Sequence, residues 1–466
     1  MKRFPVNLRR GAAAVAGLAM LLALPHSATS FPLDGDQTVL PAGSELNEDA
    51  ANVPHEILRS EYSGDRISYV VALGDLAFNS PSILGDVARH AGVSCGTCHA
   101  GGANNAKLFI PGLSTRPGTF DTTGALFNPK ADNHVFDPVR IPSLRGARFL
   151  APYGHDGRIS SLRDFVRNVI VGEFAGPEPS PALLDAIVAY VQEIDFLPNP
   201  KLADRGRLND TASEAEHRGE VLFARPFPHD PALSCAGCHP PAGAFVDHVQ
   251  HDVGSGGLYK TPSLLNANFN APYFHDGRYD SVDQVVDHFD RTYQLGLSAQ
   301  DRGDLIAYLR AVGDARQPYD SDGVTTRFKD VGTFSLLLAQ AIAARDRDTI
   351  DLVVDTMGAE FRELAEQFPD HRDTAVTGAL AERRMARAAV KDAVISLRRV
   401  AMAVSSGDFD GAAAEYKIYY DLTFSRAMPL LRGTEPWSLF NPAARAAHNA
   451  ERRQLLRPPA QTQAQR

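Results

Sequence analysis

The stretch SCGTCHA, Ser94 to Ala100, returns in altered form as SCAGCHP, Ser234 to Pro240. The chain has four cysteines, and these two copies of Cys-x-x-Cys-His use all of them. Three chemistries compete for such pairs. Disulfides suit an exported protein. A structural zinc site takes two Cys-x-x-Cys pairs, but those normally lie about 15–20 residues apart, whereas 137 positions separate Cys98 from Cys235. Covalent c-type haem uses both thiols of each pair as thioethers and the next residue, His99 or His239, as proximal iron ligand. Only the last explains why a histidine follows both pairs.

A wider repeat surrounds the motifs. PSLRGARFLAPYGHDGR (Pro142–Arg158) aligns without gaps with PSLLNANFNAPYFHDGR (Pro262–Arg278) at an offset of 120, which marks a duplicated unit. Each copy is preceded by a short apolar-periodic segment, LGDLAFNSPSILG or EAEHRGEVLFARPF. Each closes with an amphipathic one, Pro181–Ile194 or Ser298–Val312, and Pro181 and Ser298 are helix-start signals. The first copy carries about 20 extra residues after its motif, within Asn104–Pro138. These read as a long loop, a feature that in compact domains is often functional.

The N-terminus reads as an export signal over residues 1–30: Lys2, Arg3, Arg9 and Arg10, then an apolar run, then small residues before Ser30. The apolar run is short for a bilayer span, which needs about 20 residues. The formal charge is -9. Cleavage would make it about -13, an acidic exported protein that attracts basic partners. No basic stripe suggests nucleic acid. After about Gln317 the texture changes to long Ala/Leu/Arg/Glu-rich segments with helical periodicity, which predict an antiparallel bundle. That region has no cysteine, and its histidines are His371 and His448, so no third motif exists.

The paired Cys-x-x-Cys-His motifs, the helices before them and TPSLLNANFNAPYFHDGRYDSVDQVV (Thr261–Val286) resemble the bacterial di-haem cytochrome c peroxidase and MauG family over about residues 55–315. The resemblance implies an all-α protein with two tandem cytochrome c-like haem domains, 55–200 and 212–315; the helical texture beyond them, which the family core lacks, adds a bundle at 330–455, and the end of the chain reads as a disordered tail at 456–466. It implies two covalently bound haem c groups on Cys95, Cys98, His99 and Cys235, Cys238, His239. The first would meet peroxide and the second would relay electrons from a small donor protein, a cytochrome c or cupredoxin, in the periplasm. The rivals are MauG-like oxidation of a protein or small molecule and a di-haem electron carrier. A homodimer is a further expectation. The resemblance also implies an interdomain calcium ion, held by backbone oxygens around Asn270 and Pro272.

By the same resemblance Glu173 is the expected distal acid–base group, with Glu178 as alternative, and His134 in the inserted loop is a removable ligand of the first haem. His155 and Arg158 are expected near that haem. The family places a tryptophan where this sequence has His155. The family's methionine, or MauG's tyrosine, on the second haem is matched by Phe289, which cannot ligate. His288 is therefore the expected second axial ligand, with Tyr293 as its rival.

Overall fold

The computed structural model describes residues 40–46, 54–60, 67–317, 319–370, 376 and 378–455. The expected signal segment and the tail from 456 lie outside these residues. Helices dominate, and the described strands form two antiparallel two-stranded ribbons. None of the described helices is long and apolar enough to cross a membrane.

Two copies of one helix-crossing unit account for residues 69–312. In the first, α1 (Tyr69–Phe78) leads to the one-turn helix α2 (Cys95–Cys98); then come α3 (Leu162–Arg167) and α4 (Pro181–Glu193), which packs back on α1. In the second, α5 (Glu214–Phe223), α6 (Cys235–Cys238), α7 (Val282–Tyr293) and α8 (Ala299–Val312) follow the same order, and α8 packs on α5. The crossing is close because each contact centres on a glycine. A Cβ on Gly74 would stand 1.9 Å from the Ala186 carbonyl oxygen, and one on Gly219 would stand 2.0 Å from that of Asp304. Backbone meets backbone there, so any side chain would force the helices apart. An aromatic set fills the angle of each crossing. Phe78 lies 6.4 Å from His99 and 5.2 Å from Tyr190, while Phe223 lies 6.4 Å from His239 and 5.0 Å from Tyr308.

The inserted loop expected after the first motif is only partly a loop. It pairs Thr119–Phe120 (β1) with Val139–Arg140 (β2), matched in the second copy by Gln250–His251 (β3) and Tyr259–Lys260 (β4). Phe120 and Phe127 from the insertion are buried in the first core, where both rings pack on Phe174. These apolar anchors hold the middle of the segment down, while residues 133–137 are exposed.

The predicted bundle comprises α9 (Val324–Ala344), α10 (Arg347–Glu366), α11 (Leu380–Ser405), α12 (Phe409–Asp421) and α13 (Met428–Thr434), around a core that includes Phe334, Met357, Phe361, Val400 and Tyr419. It docks on the first repeat. Leu352 joins that repeat's core, Arg89 pairs with Asp355 at 3.6 Å, and α9 and α10 both pack on α1.

Candidate functional site

The serine before each motif is a helix cap. Ser94 Oγ accepts from Thr97 N at 3.3 Å while Ser94 N donates to Thr97 Oγ1 at 3.0 Å, and Ser234 Oγ accepts from Gly237 N at 3.0 Å. A cap of this kind is worth about 1 kcal/mol and fixes a single helical turn, which puts both cysteines of a pair on one face. The four cysteines are not disulfide-bonded. Burial pushes the thiols of Cys95, Cys98 and Cys235 up to about 12.

Each motif histidine has its Nδ1 anchored. His99 Nδ1 reaches the carbonyls of Pro142 at 3.0 Å and Ala103 at 3.2 Å, and His239 Nδ1 reaches that of Phe245 at 2.9 Å. A carbonyl can only accept, so Nδ1 carries the proton and Nε2 keeps its lone pair. Burial lowers both pKa values and keeps the rings neutral. Two thiols on one turn and an oriented neutral imidazole at its end are the donor set that thioether-bound haem requires. The residues present fit that group in both repeats.

In the first repeat α3 runs on into a π-helical turn, Asn168–Glu173, a geometry frequent at functional sites. It ends on Glu173, whose side chain is only 11% exposed. Arg158 Nη2 donates to Glu173 Oε1 at 3.0 Å and Asn168 Nδ2 donates to the same oxygen at 3.2 Å. Burial raises the carboxyl above its ordinary value, and Arg158 opposes the rise. Asn128 of the insertion donates to the Gly172 carbonyl at 2.6 Å, so the inserted segment braces this turn. The alternative, Glu178, is exposed and paired with Arg167 at 2.5 Å, which holds it below the ordinary carboxylate range. Arg158 is a positioning residue: it pairs with both Asp156 and Glu173.

Three expectations meet a different arrangement. His134 lies on the exposed tip of the insertion, 87% exposed, with Nδ1 3.1 Å from Asp132; a second axial ligand would be enclosed. His155 is not free for proton transfer. Its Nε2 donates to the Arg140 carbonyl at 2.6 Å, its own carbonyl accepts from Lys260 N at 2.8 Å, and burial with Arg140 nearby pushes its pKa down to about 3. It joins the two repeats. His288 is buried with both nitrogens engaged, Nε2 donating to the Val253 carbonyl at 2.6 Å and Nδ1 accepting from the Tyr279 hydroxyl at 2.9 Å. No lone pair is left for a metal.

Tyr293 is better placed. Its ring stacks on Phe289 at 6.0 Å and packs on Phe227 at 4.9 Å. Its hydroxyl is pushed up by burial and next by the field of Cys238. The sequence held this signal. Continued past Arg158 and Arg278, the 120-residue offset pairs Glu173 with Tyr293 and Asn168 with His288. One position in the repeat thus carries a carboxylate in the first copy and a phenol in the second. Tyr293→Phe should alter the spin state of one haem in the absorption spectrum, and His288→Ala should leave the ligation unchanged. The reverse result would return His288 as ligand.

A cavity of about 720 Å³ lies behind the first motif, lined by Thr97, Glu56, Tyr190 and, from the bundle side, Asp330, Glu360 and Glu363. Burial and mutual repulsion raise Asp330, and they push Glu363 up to about 7. No sequence feature signals this chamber, since its walls come from segments about 270 residues apart. Asp247 and His251, also unforeseen, place ligand-type atoms within 4.8 Å of the Cys238 sulfur.

Residues 214–343 match the family described as di-haem cytochrome c peroxidase. Residues 214–343 thus carry a domain similar to those of the di-haem cytochrome c peroxidase and MauG family. Among characterised family proteins, methylamine utilization protein MauG of Methylorubrum extorquens is 24% identical over 302 residues, 52% of this chain and 77% of that protein. Cytochrome c peroxidase Ccp of Escherichia coli is 24% identical over 310 residues, 54% of this chain and 60% of its own. Cytochrome-c peroxidase IdrP1 of Pseudomonas sp. is 39% identical over 79 residues, 15% of this chain and 20% of that protein. The chain thus spans a fifth of IdrP1 and three fifths of Ccp. The family match begins at α5 and runs into α9, so it covers the second repeat and the start of the bundle.

Proposed function

We propose that the protein is a periplasmic di-haem c-type oxidoreductase that reduces hydrogen peroxide to water with two electrons, taken one at a time from a small donor protein, and two protons. The observation that carries this reading is the asymmetry between otherwise matching repeats: a buried, arginine-held carboxyl in the first and a phenol in the second. When bound, haem supplies the redox centre at which peroxide is opened. The chain's residues do the rest. His99 and His239 offer Nε2 lone pairs, with Nδ1 fixed on backbone carbonyls. Glu173 takes a proton from one peroxide oxygen and returns it to the other, the work of a positioned general acid–base group. Arg158 holds that carboxylate in place, and Phe174, its neighbour in the chain, is buried against Phe120 and Phe127. The acidic chain favours a basic donor, with an association rate that falls as salt rises.

The second reading is MauG-like oxidation of a protein or small molecule, favoured by Tyr293, the phenol that stands in the second repeat where the first has Glu173. One experiment addresses both and the electron-carrier reading as well. Purified protein should carry the mass of two haems, resistant to acid–acetone extraction, and Cys235→Ala should impair attachment of one. Mixed with peroxide, the half-reduced protein should turn it over when a reduced donor protein is present. Reaction with peroxide but no turnover with donor would favour the MauG-like reading. No reaction with peroxide in any redox state would leave an electron carrier.

A further inference from the structure

The contact between the repeats has a near twofold pattern built from four carbonyls. Each repeat presents two carbonyls just ahead of its Pro-Tyr, those of Leu150 and Ala151 in the first and of Asn270 and Ala271 in the second. All four are capped from the other repeat. Arg140 Nη1 donates to Asn270 O at 3.2 Å, and Lys260 Nζ, its equivalent at the 120-residue offset, donates to Leu150 O. Asn104 Nδ2 donates to Ala271 O at 2.8 Å and His248 Nδ1 donates to Ala151 O at 2.6 Å. The strands reinforce the exchange: Arg140 N donates to His275 O at 2.6 Å and Lys260 N to His155 O at 2.8 Å.

A calcium ion would compete here with two built-in cations. A calcium ion takes six to eight oxygens, and the Asn270 carbonyl expected to serve it already accepts from a guanidinium. A dication would also stand beside a buried positive charge, repelled most where the dielectric is low. The cost of burying these cations is visible, since desolvation pulls Arg140 down to about 10 and Lys260 down to about 8.

We propose that Arg140 and Lys260 are a symmetric pair of built-in cations that take over the interdomain position of calcium, so that the polypeptide alone sets the relation of the two haem-motif repeats. This inference rests on the interface, not on the peroxide reading, and its test uses no turnover. The amide oxygens of Asn104 and Asn270 are buried without a partner, so donors for an ion exist and the test can fail.

The test uses the full-length protein with its haems attached. Elemental analysis should find well under one calcium per chain. EGTA, followed by calcium, should change neither the haem spectrum nor Tm. Lys260→Met and Arg140→Gln should each lower Tm by about 1.5–3 °C, as expected for loss of a charge-assisted hydrogen bond in a chain of this length, and Arg140→Lys should recover most of the loss. Arg140→Asn, which removes the cation and offers an amide oxygen, should acquire a calcium-dependent rise in Tm that wild type lacks. If Arg140 variants fail to fold, the chelator arm on wild type and Lys260→Met still decide. One calcium per wild-type chain, or a wild-type spectrum or Tm that EGTA changes and calcium restores, would overturn the proposal. So would Lys260→Met with unaltered Tm.

Discussion

Glu173→Gln slows the reaction with peroxide by about 10²–10⁴-fold, the worth of a positioned acid–base group, and leaves both haem spectra nearly intact. The amide keeps the shape of the side chain and removes the ionisable carboxyl. Glu178→Gln is the internal control: that carboxylate is exposed and paired with Arg167, so its loss should leave the rate unchanged. The pH profile adds a second readout. Burial raises the Glu173 carboxyl above its ordinary value, and Arg158 pulls it back down. If the ionised form takes the first proton from peroxide, the rate falls as pH drops through this raised pKa. Arg158→Ala removes the opposing charge, so the acid limb should move to higher pH. A profile that stays in place would separate Arg158 from the chemistry. Equal rates for wild type and Glu173→Gln would remove Glu173 from the mechanism.

The second large effect concerns the fold. Gly219→Val should destabilise the protein by about 3 kcal/mol or more, since overpacking a tight contact costs roughly 1–3 kcal/mol and occasionally more. A Cβ at Gly219 would lie 2.0 Å from the backbone oxygen of Asp304, and backbone cannot swing aside. The helices α5 and α8 would have to part, opening the angle that holds Phe223, Tyr308 and His239. Gly219→Ala should be costly for the same reason. Gly303, on α8 itself, has no atom within 4 Å of its would-be Cβ. Gly303→Ala should therefore stabilise by about 0.5–1 kcal/mol through helix propensity. One substitution type with opposite signs on crossing helices is checked by chemical denaturation of each variant against wild type. A tolerated Gly219→Val would show that the crossing is looser than its geometry.

Much of this was legible in the sequence because it is local or repeated. Two Cys-x-x-Cys-His turns announced their chemistry by residue type at fixed spacing. A gapless 120-residue offset declared the duplication, and the capping serines and the periodic segments at either end of each copy form helices as their patterns require. Even the pairing of Glu173 with Tyr293 followed from that offset. Other features needed the folded chain. His288 and Tyr293 sit five positions apart on one helix, about 140° around its axis, and only packing decides which faces the second motif. His155 and His134 have the same side chain, yet one is locked between repeats and the other stands in solvent, because burial is a property of the assembled surface. Arg140 and Lys260 carry no signal in the sequence, and it is the opposite repeat that brings carbonyls to their side chains. The docking of the bundle on α1 likewise joins segments about 280 residues apart. A linear sequence encodes spacing along the chain, while desolvation and hydrogen-bond partners depend on distance through space. The sequence by itself determined the cofactor chemistry and the repeat, and tertiary structure decided which neighbouring side chains serve it.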